Sequence, residues 1–272
     1  MDTILATMPY DILHLILDFT SGSTILNVLS FLTEYNVKTV KISNIKFIFN
    51  KEDIIDSDNI LRKLTYFNEI RYIEFDGNWK LGNYAILDNL TNLTHLSITN
   101  NNKISDIDMI PISDLTNLKF LNLDNSMINM TDAWIGILDK LKNLRSLSLS
   151  HIKINKYVMK IITRFEDLKE LTLSNTFLEN FIDNDYGYWN IIELSDITYL
   201  NLSNTLIIDM DLENFSEVLT KLEYIDIKDC IEITEEGVNF LLKLPNLKTI
   251  NILDCINVNV DNIIDSSVLI IK

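Results

Sequence analysis

Residues able to do chemistry are few in this 272-residue chain, and their spacing argues against catalysis. The three histidines, His14, His95 and His151, are scattered. His95 and Ser97 alternate as on one strand face, but no carboxylate is placed to orient the imidazole, so they form no triad. Asp183-x-Asp185 opens like a calcium loop, yet Gly187 stands one position early and the remaining ligands are missing. There is no H-E-x-x-H, paired C-x-x-C, glycine-rich phosphate loop or G-x-S-x-G. Neither an enzyme nor a cofactor is expected. The chemistry that the residue types do support is recognition. Aromatic, acidic and small polar side chains recur at alternate positions, among them Tyr72, Glu74, His95, Phe120, Asn122, Asp124, Glu170, Tyr199, Tyr224, Asp226 and Lys228. Exposed rings of this kind serve as interface anchors.

The elements that must position these side chains repeat. Aliphatic triplets spaced x-x-Leu-x-Leu occur at Ile70/Ile73/Phe75, Leu93/Leu96/Ile98, Leu118/Leu121/Leu123, Leu144/Leu147/Leu149, Leu168/Leu171/Leu173, Ile197/Leu200/Leu202, Leu222/Ile225/Ile227 and Leu247/Ile250/Ile252. Their starts are 23, 25, 26, 24, 29, 25 and 25 residues apart. A fixed period of this length signals a solenoid. The alternating core of each copy predicts a short strand, aliphatic side chains inward and the candidate residues on the other face. Three residues beyond each triplet stand Asn78, Asn101, Ser126, Ile152, Thr176, Thr205, Cys230 and Cys255. A polar side chain there can bond backbone groups left unpaired by the turn; Ile152 cannot, so its turn must be satisfied differently. A helical stretch is expected after each strand, seen in Thr131-Asp132 before residues 133–138, Asn155 before 157–162 and Thr234 before 235–242. Each opens on a capping residue. Parallel strands inside and helices outside make a curved stack whose concave face carries the candidate residues. An earlier copy, Val37-x-x-Val40-x-Ile42-x-x-Ile45, reads as a first strand.

The pattern resembles the leucine-rich repeat family in its cysteine-containing subtype, which reads L-x-x-L-x-L-x-x-C-x-x-I-T-D-x-G-L. Leu222 to Val238, with Cys230, Ile233, Thr234 and Gly237, is the best-matching stretch; the next copy lacks the Thr and the Gly. The resemblance spans about residues 64–272. It implies an α/β leucine-rich-repeat solenoid occupying residues 37–272, working as a protein-binding scaffold.

Residues 1–36 carry no repeat. Pro9 suits the first turn of a helix. Ile12, Leu13, Ile16 and Leu17 then form an apolar stripe, and Ser23 or Thr24 can cap a second helix. This segment resembles an F-box, which begins L-P-x-E-[IL]-L-x-x-I-L, with Met8-Pro9, Asp11, Ile12-Leu13 and Ile16-Leu17 at the matching positions. The basic-aromatic ending of that motif is absent. The resemblance implies that Met8, Pro9, Ile12, Leu13, Ile16 and Leu17 dock a Skp-family adaptor, while the concave face selects a target for a cullin-type ubiquitin ligase. The other reading is a helical cap on the solenoid, with no adaptor.

Composition narrows the partners. A net charge of −16 repels phosphate and disfavours nucleic acid and anionic membranes. No signal peptide is visible at residues 1–20, and no uncharged run reaches the roughly 20 residues that span a bilayer. Cys230 and Cys255 share one repeat position, which predicts two buried thiols and suits a reducing, cytoplasmic setting. The Asn-x-Ser/Thr triplets at Asn89, Asn92, Asn129, Asn201 and Asn214 read as chance matches in an asparagine-rich chain. The longest spacing holds Tyr186, Tyr188 and Trp189, either an exposed anchor or, for Trp189, packing inside a distorted repeat.

Overall fold

A computed structural model describes residues 46–49, 69–77, 87, 89–102, 104–126, 129–130, 133–179, 189–264 and 267–272. The chain forms two compact units, residues 1–128 and 129–272.

In the first unit, β1 (Lys46–Phe49), β2 (Tyr72–Asp76), β3 (His95–Thr99) and β4 (Phe120–Asn122) lie side by side, each parallel to the next. Tyr72 is in register with His95, and His95 with Phe120. The first described strand is therefore Lys46–Phe49, and the expected Val37–Ile45 copy lies outside the described residues. Between β3 and β4 runs a 3-10 helix, Asp106–Asp114, rather than an α-helix. Pro111 sits inside it, has no N–H to donate and clashes with a continuing α turn.

The second unit stacks β6 (Ser146–Ser148), β8 (Glu170–Thr172), β10 (Tyr199–Asn201), β11 (Tyr224–Asp226), β12 (Thr249–Asn251) and β13 (Leu269–Ile271) in the same parallel manner. A second, three-stranded parallel sheet joins β5 (Asn129–Met130), β7 (Lys153–Asn155) and β9 (Phe177–Glu179). Helices α1 (Ala133–Leu138), α2 (Lys156–Ile162), α3 (Asp209–Val218) and α4 (Glu235–Leu241) complete the repeats, with short 3-10 helices at Trp189–Glu193 and Val260–Asn262. Asn155 caps α2, its Oδ1 accepting from the Tyr157 and Val158 amides at 2.9 Å each. Thr234 caps α4, accepting from the Glu236 amide.

The aliphatic triplets fill the core. Every triplet residue is buried, from Ile70, Ile73 and Phe75 to Leu247, Ile250 and Ile252. Full burial of each such side chain contributes roughly 1.5–3 kcal/mol. Strands end where the chain turns sharply: Asn100, Asn125, His151, Asn175, Asn204, Asp229 and Asp254 all have φ between 51 and 61°, and Gly77 has φ 95°. The left-handed region strains most side chains, and Asn, Asp and His are the non-glycine residues found there most readily. This turn lets the backbone ladder run one step past the strands. The amide of a turn residue donates to the carbonyl just before the next turn residue, as in Asn175 to Ser203, Asn204 to Lys228 and Asp229 to Leu253, at 2.7–2.9 Å.

The residue after the turn points inward and divides into two kinds. Ser126, Cys230 and Cys255 donate back to the preceding repeat, to the carbonyls of Ile98, Leu202 and Ile227 at 2.9, 3.2 and 3.0 Å. Thr176 and Thr205 donate within their own repeat, to Leu173 and Leu202, both at 2.6 Å. Ile152 makes neither contact; its amide donates to the Leu149 carbonyl, and the chain passes directly into β7. Both cysteines are free and buried.

Candidate functional site

Parallel, in-register strands place equivalent side chains roughly 4.8 Å apart, so like residues in successive repeats form columns. On the sheet face opposite the core the first column carries stacked rings in each unit. In the first unit Tyr72, His95 and Phe120 stack, with ring centroids 5.3 and 5.7 Å apart and planes within 27 and 22°. In the second, Tyr199 and Tyr224 stack at 4.8 Å with planes within 2°. The ring separations, 4.8 to 5.7 Å, lie at or just above the strand separation of about 4.8 Å, which is why the stack needs no further device. Tyr72 Oη donates to Glu74, and Tyr224 Oη donates to Asp226 Oδ2 at 3.4 Å, so the same ring-plus-acid pair appears in both units.

The second column does two jobs. Asn122, Asn201, Asp226 and Asn251 each accept, through Oδ1, the backbone N–H two residues on, at 2.8, 3.0, 3.0 and 3.1 Å. These Asx turns steer the chain out of the strand. Asn122 and Asp226, candidates for binding, therefore also hold the backbone. Asp226 accepts a further bond from Asn251 Nδ2 at 3.0 Å. In the third column Asp76 accepts from Thr99 Oγ1 and Asn100 Nδ2, Asp124 is half-buried, and Lys228 Nζ lies 3.8 Å from both Asp229 and Asp254. Glu170 is exposed, in register between Ser146 and Tyr199.

Burial and then the neighbouring Asp226 charge push the Tyr224 phenol up to about 12, and burial raises Tyr72 and Tyr199 as well. All three phenols are neutral hydroxyls at physiological pH, suited to hydrogen bonding rather than to acid–base work.

The structure thus gathers Tyr72, Glu74, His95, Phe120, Asn122 and Asp124 on one sheet face of the first unit. It gathers Glu170, Tyr199, Tyr224, Asp226 and Lys228 on one face of the second. Met8, Pro9, Ile12, Leu13, Ile16 and Leu17 lie outside the described residues, as do Tyr186 and Tyr188; Trp189 opens a 3-10 helix. His151 is a turn residue. Leu269 and Ile271 extend the first and second columns and are 61% and 39% exposed. Sequence reasoning missed an aliphatic column just past the inward turn residues, Leu206, Ile231 and Ile256, 62%, 47% and 78% exposed. The sequence gives little signal of it, because the same position holds Trp79, Met127 and Phe177 as well as Asn102 and Lys153. Among the described residues, no group of three or more histidine, cysteine or acidic side chains could hold a metal, and no helix is long and apolar enough to cross a membrane.

Among solved structures the chain is similar to internalin C2 from Listeria monocytogenes, with a TM-score of 0.50 and 20% identity over 68% of this chain and 74% of that one. The fold is a leucine-rich-repeat solenoid. A second internalin of that organism, inlF, aligns at 15% identity and a TM-score of 0.42, over 78% of this chain and 75% of that one. No protein-family model matches the chain, and no curated protein matches it in sequence. In this leucine-rich-repeat chain the helical side varies from repeat to repeat while the strand face keeps one geometry, and that constancy sets the candidate columns.

Proposed function

We propose that this leucine-rich-repeat protein is a recognition scaffold that binds a protein partner on the sheet face opposite its core. The observation that carries the reading is the aromatic column backed by an acid in each unit. Such columns offer rigid ring area, at little entropic cost, beside carboxylates that give orientation. Cross-linking from a cell extract, read by mass spectrometry, tests the proposal. Partners captured by the intact chain are expected to be lost on Tyr72→Ala or Tyr224→Ala, each a change of about tenfold or more in affinity. They should be kept on Glu166→Gln, which alters an exposed turn. Partners retained by both ring variants, with circular dichroism unchanged, would place binding elsewhere.

The finer reading is an F-box receptor in the cytoplasm, with residues 1–36 a segment distinct from the solenoid of 37–272. The resemblance of Met8 to Leu17 to an F-box supports it. On this reading Met8, Pro9, Ile12, Leu13, Ile16 and Leu17 dock a Skp-family adaptor and the sheet face presents a target to a cullin-type ubiquitin ligase. Co-purification with a Skp-family adaptor, beside a Pro9→Ala/Leu13→Asp/Ile16→Asp variant, decides it. A folded variant that no longer binds supports the adaptor; no binding by the intact chain leaves a stand-alone scaffold with a helical cap.

A further inference from the structure

The geometry points to a slot on the second unit, between Glu170 and the free face of the Tyr199 ring, that takes an arginine side chain of the partner. This rests on the recognition reading and names the chemistry of what is recognised. Tyr224 covers one face of Tyr199 at 4.8 Å in a nearly parallel stack, so the other face turns toward the neighbouring strand β8. The residue in register there is Glu170, exposed, and beyond it on β6 stands Ser146, whose small side chain leaves room.

Two carboxylates lie beside the tyrosine pair: Glu170, in register with Tyr199 on the neighbouring strand, and Asp226, two residues along the strand from Tyr224. Among the described residues neither makes an ion pair with a lysine or arginine. Asp226 is held by neutral donors alone: the Lys228 backbone amide, Asn251 Nδ2 and the Tyr224 hydroxyl. Lys228, two residues on from Asp226, lies 3.8 Å from Asp229 and Asp254, and Lys169, beside Glu170, bonds Asp196. The stack therefore carries an uncompensated negative field over an electron-rich ring face. A planar guanidinium satisfies both features at once, stacking on the ring and donating in bidentate fashion to the Glu170 carboxylate. An ammonium meets only the charge, and an acidic or apolar side chain meets neither. The overall charge of −16 draws a basic segment toward the chain but does not choose this place.

The test is fluorescence anisotropy at 0.15 M salt with a capped, labelled (Gly-Arg)4 peptide and its citrulline counterpart, which keeps the shape and loses the charge. The arginine peptide is expected to bind at least about tenfold more tightly than the citrulline peptide. Tyr199→Leu and Glu170→Gln should each weaken it roughly three- to fivefold, while Tyr199→Phe, which keeps the ring, stays within about twofold. Glu166→Gln removes the same charge from an exposed turn and serves as the control. An equal loss on Glu166→Gln and Glu170→Gln would reduce the binding to net charge and overturn the slot. Unchanged binding by a folded Tyr199→Leu would do the same. If Tyr199→Leu unfolds, the paired glutamate variants decide alone, since Glu170 is exposed. Partner capture that depends on Tyr224 while arginine binding ignores Glu170 and Tyr199 would sink the slot and leave the recognition face standing.

Discussion

The two halves of the second unit join their repeats in different ways. In the first half, β5, β7 and β9 form a second parallel sheet, so Lys153 pairs with Phe177 and Ile154 with Leu178 through backbone groups. Among the described residues of the second half there is no such sheet, and side chains make the link. The Asp209 carboxylate, at the start of α3, accepts the Thr234 amide at 2.9 Å and the Thr234 hydroxyl at 2.6 Å. The Glu235 carboxylate, at the start of α4, does the same one repeat on, accepting the Asn259 amide at 3.1 Å and Asn262 Nδ2 at 2.9 Å. These hydrogen bonds hold the Glu235 carboxyl below its ordinary range. A backbone ladder tolerates almost any side chain; a carboxylate clamp depends on particular ones. Substitutions should therefore be felt more sharply between residues 205 and 262 than between 129 and 179.

The largest effect is expected at Asp211, in the clamped half. Its carboxyl is buried, accepts the Ile208 amide at 2.9 Å, and is pushed by burial up to about 6. A folded-state value raised above the unfolded one means that stability from this group is fully present below about pH 4 and is lost as pH rises through about 6. Asp211→Asn keeps the acceptor and removes the charge. It should stabilise the protein by about 2 to 3 kcal/mol at pH 7 and flatten the pH dependence between 4 and 7. Urea unfolding at several pH values reads this, and an unchanged slope would refute it.

Next in size is Gly237→Ala. A Cβ there would lie 2.2 Å from Asp209 Oδ1 and 3.0 Å from Leu212 Cδ1, so the carboxylate must leave Thr234. A loss of about 2 kcal/mol is expected. If the clamp is the cause, the cost shrinks in an Asp209→Asn background, which a double-mutant cycle measures. Full additivity would assign the cost to packing instead.

The left-handed turn is common to both halves and sharpens the comparison from the other side. Asn175→Val in the first half and Asp229→Val in the second should each cost about 1–2 kcal/mol, because a branched side chain resists φ near 55°. The matching glycine variants should stay within about 0.5 kcal/mol of the parent. A large difference between the two sites in thermal unfolding would mean that the halves differ in more than their far side.

The smallest effect, and of opposite sign, is at Gly136 in α1, where an added Cβ meets nothing within 4 Å. Gly136→Ala should stabilise by roughly 0.5–1 kcal/mol through the unfolded chain. The contrast with Gly237 separates a helical glycine that is needed from one that is not.

The repeat made the strand positions legible. β2, β3, β4, β6, β8, β10, β11 and β12 all fall on the alternating segments, because burying two aliphatic side chains per strand admits only one register. Helices α1, α2 and α4 were legible through their flanking residues, with Asn155 and Thr234 capping the last two. Helix α3 was not, because its N-cap is Ile208 and the capping group is Asp211, three residues inside. The small sheet was hidden in strands of two or three residues, too short for any periodicity. The candidate residues could be named one by one. The Asx bonds that commit Asn122 and Asp226 to the backbone were not foreseen.

The sequence by itself determined that the chain is a parallel stack, since a period near 25 residues and a buried triplet in every copy leave no other way to cover the aliphatic surface. Tertiary structure decided the rest. Whether an inward hydroxyl or thiol bonds its own repeat or the one before, which rings stack, and which carboxylates are left without a cation depend on contacts between residues 23 to 29 positions apart. Those distances exist only once one repeat lies against the next.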